Sequence, residues 1–220
     1  MQIKQNTKSI DPLIGVCGWI GSGKDTIADY LVNIHGFRRD SFAATLKDAV
    51  AAVFNWDREL LEGRTKQARE WREQVDPWWA ERLKMPNLTP RLVLQLWGTE
   101  VARRAFHDDI WIASLENKLR SSQDDVVISD CRFPNEIRAL RSSGACIIRV
   151  VRGQLPHWWQ FAVEHNDQMA SAYPQIHQSE WGWANQDFDR VIYNNGSLED
   201  LYAEINYLVR DHRGAKASHL

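Results

Sequence analysis

The sequence predicts an α/β fold of three layers, in which helices cover both faces of a parallel central sheet. One observation is the short apolar run Leu13–Cys17, which leads directly into glycines and then into a helical pattern, as a buried parallel strand does. A second is the succession of strand Val126–Asp130, helix Asn135–Ser142 and strand Ala145–Val151, with Gly144 ending the helix. Strand, helix and strand so close together indicate a parallel βαβ unit.

Hydrophobic spacing predicts the remaining elements. A first helix is expected from about Gly23 to Asn33, with Gly36 closing it, and a short strand over Phe37–Phe42. A last strand is expected at Arg190–Tyr193. Further helices are expected at Thr45–Phe54, in short pieces over Asp57–Arg82, and at Arg91–Phe106, Ile110–Leu119 and Leu198–Val209.

Length and composition favour a single domain, 1–220. The chain has 220 residues, of which 44% are hydrophobic, and this is enough for one shared core. A charged, tryptophan-rich segment of about 55–106 is expected to form a helical arm. Residues of about 152–189 show no clear periodicity and are interpreted as a tryptophan-rich lid or insertion, and residues 211–220 as a disordered tail.

Charge and cysteine content argue against several classes of protein. A formal charge of −2 argues against a surface that follows nucleic-acid phosphates along its whole length. Cys17, Cys131 and Cys146 are scattered without a CxxC pair, so reduced structural thiols are expected. Met1–Ile10 is polar, and no apolar run approaches the roughly 20 residues of a membrane span. We therefore expect no membrane contact and a cytoplasmic location.

The strongest functional motif is the stretch Gly18–Thr26, which reads GWIGSGKDT. It fits the phosphate-loop (P-loop) pattern GxxxxGK and lies between a predicted strand and a predicted helix, the setting that this motif requires. Glycines let backbone N–H groups turn toward phosphates, the helix N-terminus adds partial positive charge, and Lys24 reaches the β- and γ-phosphates. The residues expected to bind ATP in this loop are Gly18, Gly21, Ser22, Gly23, Lys24, Asp25 and Thr26.

The residue after the lysine departs from the usual form of the loop. Asp25 stands where Ser or Thr is common, and Thr26 follows one residue later, a spacing similar to that of nucleoside monophosphate kinases. Thr26 is then expected to contact phosphate and to serve as a ligand of Mg²⁺. An acid after the lysine adds negative charge near the transferring group, so Asp25 is expected to face the acceptor or a magnesium-bound water.

The carboxyl end of strand Val126–Asp130 carries a second group of candidates. An acid there lies at the crevice where α/β sheets bind ligands, so Asp130 is expected to hold Mg²⁺, directly or through water, or to bind the acceptor. Arg132 can bind phosphate in a planar, bidentate way, and Glu136, one turn into the next helix, can share the crevice. A helix N-cap with a surface arginine is the alternative.

Basic residues elsewhere are candidates because phosphoryl transfer between two anionic substrates needs several cations. Lys47 and Arg64 stand out in the segment where nucleotide kinases carry an acceptor-binding arm, with a solvated helix face as the alternative for each. Arg152, favoured over Arg149, is expected to enter a lid over ATP. The 11 tryptophans suit lids and base-stacking pockets, but packing is the commoner role for any one of them.

Seven motifs in order resemble the deoxynucleoside monophosphate kinases of tailed bacteriophages, of which the T4-type enzyme is the familiar case. The resemblance implies a P-loop, nucleoside monophosphate kinase-like fold, often dimeric, that phosphorylates dNMPs to dNDPs with ATP and Mg²⁺. The motifs are Gly18–Thr26, Phe42–Asp48, Leu94–Glu100, Asp109–Trp111, Val127–Arg132, Arg149–Arg152 and Asn194–Glu199.

The resemblance also implies roles for individual residues. It places Lys24 and Thr26 on the ATP phosphates, and it places Asp130, Arg132 and Glu136 at the acceptor. Trp111 would lie beside the acceptor base. Together with the loop chemistry, this makes the expected catalytic residues Lys24, Asp25, Asp130 and Arg132. The spread of tryptophans and the shape of the expected lid are not part of the resemblance.

Two alternatives share the same phosphate loop. One is a P-loop kinase that phosphorylates the hydroxymethyl group of a modified pyrimidine in DNA, where paired aromatics and the Arg64–Arg72 stretch would line a groove for the polymer. The other is a non-catalytic, nucleotide-dependent switch. Asp130 and Arg132 argue against a switch, which needs no acceptor side.

Overall fold

The computed structural model describes residues 12–217, with side chains described through residue 211. The stretch Met1–Ile10 and the last three residues of the expected tail lie outside the described part of the chain. The chain divides into two compact units, each described by itself. The sheet unit comprises the chain up to Ser41 and from Leu119 onward, and the helical unit comprises Phe42–Lys118.

Within residues 12–217, five parallel strands form one sheet in the order β2-β3-β1-β4-β5. The strands are β1 Leu13–Cys17, β2 Arg38–Asp40, β3 Val126–Cys131, β4 Cys146–Val151 and β5 Arg190–Tyr193. This arrangement confirms the predicted α/β class, and each predicted strand is present within a few residues of its expected bounds.

The helices alternate with these strands and fill the helical unit. In chain order they are α1 Lys24–His35, α2 Ala44–Phe54, α3 Arg58–Glu62, α4 Lys66–Arg72, α5 Pro77–Leu83, α6 Pro90–Gln95, a π-helix Leu96–Arg104, α7 Ile110–Ser121, α8 Pro134–Ser142, α9 Trp159–Glu164, a 3₁₀ turn Asn166–Gln168, α10 Met169–Ala172, α11 Gln178–Trp181 and α12 Leu198–Ala217. Helix α12 continues past the expected end at Val209 and is helical through Ala217. The segment 152–189 contains four short helical pieces, α9 to α11 and the 3₁₀ turn.

The core of the sheet unit lies between the sheet and helices α1 and α12. Strand β1 is buried along its whole length because strands pair with it on both sides and helices cover both faces. On the other face, a Cβ at Gly15 would lie 2.8 Å from Ile147 Cδ1 and 3.0 Å from Leu140 Cδ1, so α8 packs closely there. The core residues toward α1 and α12 include Ile14, Val16, Ile27, Leu31, Val127, Ile148, Val150, Ile205 and Leu208.

Four polar side chains explain why residues 57–95 form short helices. Each accepts a hydrogen bond from a backbone N–H in the first turn of the helix that follows it, which satisfies an otherwise unpaired donor. Because each cap starts a new helix, the chain changes direction repeatedly and encloses a second core. The four N-caps are Asp57, Thr65, Asp76 and Thr89. The core they surround includes Leu46, Val50, Phe54, Leu61, Leu88 and Val93, with Trp56, Trp71, Trp79, Trp97 and Trp111 packed against it.

The long helix expected over Arg91–Phe106 changes type midway. It is α-helical through Gln95 and then a π-helix over Leu96–Arg104. Gly98 lies in the π-helix, and a Cβ there would lie 2.8 Å from Leu46 Cδ2. π-Helices are rare and are frequently found at functional sites. Hydrophobic spacing alone does not distinguish the two helix types, so this feature could not be predicted.

Among the described residues, no helix combines the length and the apolar character needed to cross a membrane.

A charge cluster joins α2 to α3 in the helical unit. Lys47 Nζ donates to Glu62 Oε1 over 2.8 Å, and Arg58 donates to Glu62 Oε2 over 2.7 Å. Burial of the Glu62 carboxyl opposes ionisation, but the hydrogen bonds and charges of Lys47 and Arg58 outweigh it and lower the pKa of Glu62 from 4.5 to about 2. The native state thus holds this carboxylate ionised at pH values where the unfolded chain protonates it.

We expect Glu62→Gln to lower the free energy of unfolding by about 1–2 kcal/mol at pH 7, a figure reduced for the partial exposure of the cluster. Because folding lowers the pKa of Glu62, its contribution is fully present above pH 4.5 and declines as the pH falls toward about 2. Urea unfolding of both proteins at pH 7, 5, 4 and 3 measures the difference. The control is Glu70→Gln, which breaks only the exposed pair with Lys66. A deficit that stayed constant down to pH 3 would contradict the assignment.

Candidate active site

The phosphate loop starts where β1 ends and is held close to the neighbouring strand. A Cβ at Gly18 would lie 2.6 Å from Ser22 Oγ and 2.8 Å from the Val150 carbonyl oxygen, so no side chain fits at that position. Gly18 also has a φ of 152° and Gly23 a φ of 107°, both in the region that favours glycine. The Asn194 side chain donates to the Ser22 carbonyl oxygen over 2.9 Å and so anchors the far side of the loop.

Ser22 provides a hydroxyl group inside the loop. Its side chain is fully buried, and Oγ has no hydrogen-bond partner among the described residues. A buried polar atom without a partner is costly, and each one in a native protein calls for an explanation, such as a catalytic role or a bound water or ion. The position of Ser22 inside a glycine-rich turn therefore suits contact with a phosphate oxygen.

Lys24 lies at the start of α1 with its amino group turned to the loop. Nζ donates to the Trp19 carbonyl oxygen over 2.8 Å. Burial lowers the pKa of Lys24, and the positive charge of Arg132 lowers it further, while Glu180, Asp25 and Cys17 act in the opposite direction. Arg132, which directly follows β3, is thus near enough for its charge to be felt at Lys24. Both residues come after neighbouring strands, β1 and β3, and their positive charges attract an anion to this edge of the sheet.

The carboxylate of Asp25 is paired with Arg39, a residue that the sequence analysis did not select. Arg39 comes from the edge strand β2 and donates to Asp25, to Asp29 over 3.0 Å and to Ser129 Oγ over 2.7 Å. The sequence shows only an arginine in a short charged strand, so the pairing becomes visible only once β2 is placed beside β3.

The group at the end of β3 divides into two roles. Asp130 and Arg132 are half-buried at the carboxyl end of the sheet, where they were predicted. Glu136 is 3% exposed, and its Oε2 accepts hydrogen bonds from the backbone N–H groups of Arg132 over 2.9 Å and Phe133 over 3.2 Å. Glu136 therefore caps α8 and holds the backbone of Arg132. The signal for this cap was a proline at the first helical position followed by a glutamate at the third.

Tryptophans of the 152–189 segment pack on the phosphate loop. The Trp19 ring lies 5.4 Å from that of Trp159 and 6.0 Å from that of Trp183, measured between centroids. The Arg149 guanidinium stacks 3.9 Å from the centroid of Trp159 and lies 5.7 Å from that of Trp19. Arg152, which the sequence analysis favoured for the lid, is exposed, whereas Arg149 is the arginine next to the loop.

A carboxylate from the same segment reaches the loop backbone. Glu180, in α11, accepts a hydrogen bond from the Ile20 backbone N–H over 3.0 Å. His177 caps the same short helix, since its side chain accepts from the Ser179 N–H. An acid therefore occupies one of the N–H groups that a phosphate loop offers to a nucleotide.

Three other predicted residues belong to the helical unit. Lys47 is paired with Glu62, as described above. Arg64 is exposed, and its carbonyl oxygen accepts from Arg69 over 2.9 Å. Trp111 Nε1 donates to the Gly98 carbonyl oxygen of the π-helix over 2.9 Å, so this ring is held against the π-helix. Within the unit, Trp111 thus has a defined position, whereas Arg64 is solvated.

The oxygen donors of the sheet unit suit a magnesium ion shared with a nucleotide. Among the described residues, no group of three or more His, Cys, Asp or Glu side chains forms a metal cage. Mg²⁺ commonly takes one or two protein oxygens and completes its shell with water and substrate phosphates. Thr26 in α1 and Asp130 in β3 are half-buried oxygen donors that fit this requirement.

Comparison with known proteins identifies relatives over most of the chain. The chain is 29% identical over 208 residues to a protein of Acanthamoeba polyphaga mimivirus that is provisionally named a deoxynucleotide monophosphate kinase, covering 88% of this chain and 93% of that one. It is 28% identical to the deoxynucleoside-5′-monophosphate kinase of Escherichia phage T5, over 60% of this chain and 72% of the relative. With the deoxynucleotide monophosphate kinase of Enterobacteria phage T4 it shares 32% identity, over 52% of this chain and 43% of the relative.

A sequence model of the family described as deoxynucleotide monophosphate kinase matches residues 80–205, more than half of the chain. This match spans the π-helix, Trp111, β3 with Asp130 and Arg132, β4 and the segment 152–189. This match confirms the resemblance to phage deoxynucleoside monophosphate kinases that the sequence motifs indicated. The chain belongs to the deoxynucleotide monophosphate kinase family.

Proposed function

We propose that this chain transfers the γ-phosphoryl group of ATP to a deoxynucleoside monophosphate and forms the corresponding dNDP. The observation that carries the proposal is the placement of two cations at one edge of the sheet: Lys24 starts the helix that follows β1, and Arg132 directly follows the neighbouring strand β3. Such a pair is suited to the negative charge of a donor phosphate on the loop and an acceptor phosphate beside it. The names of the viral and phage relatives support the same acceptor.

The chemistry needs positioning and charge stabilisation more than proton transfer. A phosphate oxygen of the dNMP attacks the γ-phosphorus of ATP, the bond from that phosphorus to the β–γ bridging oxygen breaks, and ADP leaves with the bond's electron pair. In this proposal Gly18, Gly21, Ser22, Gly23 and Lys24 hold the donor phosphates. Arg132 stabilises the charge that spreads over the transferred group. The backbone of Arg132 is held in place by its hydrogen bond to the Glu136 carboxylate.

Mg²⁺ is the metal that this chemistry uses, and Thr26 and Asp130 are the residues that would hold it. When bound, the ion neutralises part of the phosphate charge between donor and acceptor. This chain's part is to present one hydroxyl and one carboxylate at adjacent strand and helix ends, where the loop also presents its N–H groups.

The remaining predicted contacts are part of the same proposal. We assign Lys47, Arg64 and Trp111 of the helical unit to the acceptor, with Trp111 beside the base. Asp25 contributes to the charge at the loop, and Arg152, exposed after β4, closes over ATP. We also propose a cytoplasmic location, the host cytoplasm for a phage-encoded chain, because ATP and dNMPs are found there, and a homodimer as in many members of the family.

Two other functions are less well supported. A kinase for hydroxymethylated pyrimidines in DNA would share the loop, and so would a non-catalytic switch. The relatives are named for free deoxynucleotides, and Arg132 beside Lys24 provides an acceptor side that a switch does not need.

A transfer assay with labelled ATP tests the function directly. The acceptors are the four dNMPs, 5-hydroxymethyl-dCMP, the four rNMPs and DNA containing hydroxymethylated pyrimidines. We expect label to appear on one or more free dNMPs, as dNDP, in a Mg²⁺-dependent reaction. Label on DNA alone would replace this function with the DNA-kinase alternative, and release of phosphate without any labelled acceptor would favour a switch.

Lys24→Ala should reduce the transfer rate by at least roughly 10²-fold, because it removes the cation nearest the transferred phosphate. The control is Lys66→Ala, which removes an exposed lysine from α4 and should keep the wild-type rate. Circular dichroism checks that both variants fold. Wild-type turnover by a folded Lys24→Ala protein would show that the loop is not part of the catalytic site.

Glu180→Gln should tighten ATP binding roughly three- to tenfold, because it removes a negative charge that competes with phosphate for the Ile20 N–H. Titration calorimetry with ATP measures the dissociation constant. Glu164→Gln is the matched control, since Glu164 lies in the same segment but bonds Gln160 on the surface of α9. Weaker ATP binding by Glu180→Gln would mean that the carboxylate assists the nucleotide.

A further inference from the structure

Arg39 connects three parts of the sheet unit. Its guanidinium donates to Asp25 and Asp29 of α1 and to Ser129 of β3, while its own backbone belongs to β2. The Arg39 side chain is 18% exposed, and Ser129 is 6% exposed. A planar, always charged group with five N–H donors in a fixed fork can serve three partners that lie in different directions.

The register of the sheet determines this position. Arg39 pairs with Val127 of β3, two residues before Ser129, so both side chains emerge on the same face of the sheet as α1. The first two turns of α1 pass over that face and present Asp25 and Asp29, one turn apart, toward the guanidinium. The cation is therefore held by the fold before any nucleotide binds.

The charge of Asp25 poses a problem for a phosphate loop. Its side chain is 81% exposed and directly follows the loop lysine, so a bound triphosphate would lie close to an acid. Like charges near one another repel more strongly once a ligand displaces water between them. Arg39 supplies the opposite charge on the side of Asp25 that faces the sheet.

We propose that Arg39 is a positioning residue whose role is to neutralise Asp25, so that the phosphate loop can bind ATP with an acid after its lysine. The inference rests on the proposed function, because it assumes that the loop binds ATP. Arg39 touches no substrate in this scheme. It acts through Asp25, and its hydrogen bond to Ser129 keeps it oriented toward the loop.

The test uses ATP affinity, measured by calorimetry without any acceptor, both with Mg²⁺ and with EDTA. Arg39→Met should weaken ATP binding on the order of tenfold, because Asp25 is left without its counter-charge. Adding Asp25→Asn to Arg39→Met should restore the affinity to within about threefold of wild type, since the acid that needed neutralising is gone. A merely structural role of Arg39 predicts no such rescue.

Arg38→Met is the matched control. Arg38 lies next to Arg39 on β2 and pairs with Asp40 over 2.6 Å and Asp124 over 3.0 Å, and it has no contact with Asp25 among the described residues. We expect the ATP affinity of this variant to stay within about twofold of wild type. Thermal unfolding of every variant reports general damage separately from binding.

Two results would overturn the inference: wild-type ATP affinity of Arg39→Met, or no recovery in the double variant. If Arg39→Met does not fold, the single variant Asp25→Asn tests the inference instead. We expect Asp25→Asn to bind Mg²⁺-free ATP at least as tightly as wild type does. Weaker binding by this variant would contradict the inference. The proposed function fails in a different way, namely when wild type binds ATP but transfers phosphate to no dNMP.

Discussion

The pairing of Cys17 with its neighbours on both sides fixes the geometry on which the rest of the site depends. In the sheet register Cys17 lies opposite Cys131 of β3 and Arg149 of β4. Because parallel strands end at one edge, the loop after Cys17, Arg132 after Cys131 and the stacked Arg149 all begin from adjacent positions. The backbone hydrogen bonds between strands therefore determine where the residues of the site lie. Contacts between side chains then orient the individual groups.

The electrostatics of the loop follow from this placement. Burial of Lys24 and the charge of Arg132 both disfavour the protonated amine, so the two cations are held together at a cost. The negative charges of Glu180 and Asp25 act in the opposite direction on the pKa of Lys24 and favour its protonated form. Each of these acids has a partner other than Lys24, since Asp25 pairs with Arg39 and Glu180 accepts a hydrogen bond from the Ile20 N–H.

The sequence was informative wherever a short stretch contains its own signal. The strands β1, β3 and β4, the strand-to-helix setting of the phosphate loop and the position of Asp130 and Arg132 at a strand end could be predicted because apolar runs, glycine spacing and strand ends are local features. Glu136 also had a local signal, a proline and a glutamate at a helix start, which predicts the helix cap that the structure shows. The π-helix, the stacking of Arg149 on Trp159 and the approach of Arg39 to Asp25 depend on tertiary contacts between distant residues, which no local pattern encodes.

Asp25 and Arg39 show why such distant contacts matter for interpreting a motif. Taken alone, an acid in place of the usual Ser or Thr looks like a group aimed at the acceptor or at a metal-bound water. In the structure the Asp25 carboxylate is exposed and forms an ion pair with Arg39, and this ion pair joins α1 to β2. An unusual residue in a familiar motif is therefore best interpreted together with its counter-charge, and here that counter-charge lies on an edge strand whose register with β3 brings it to the loop.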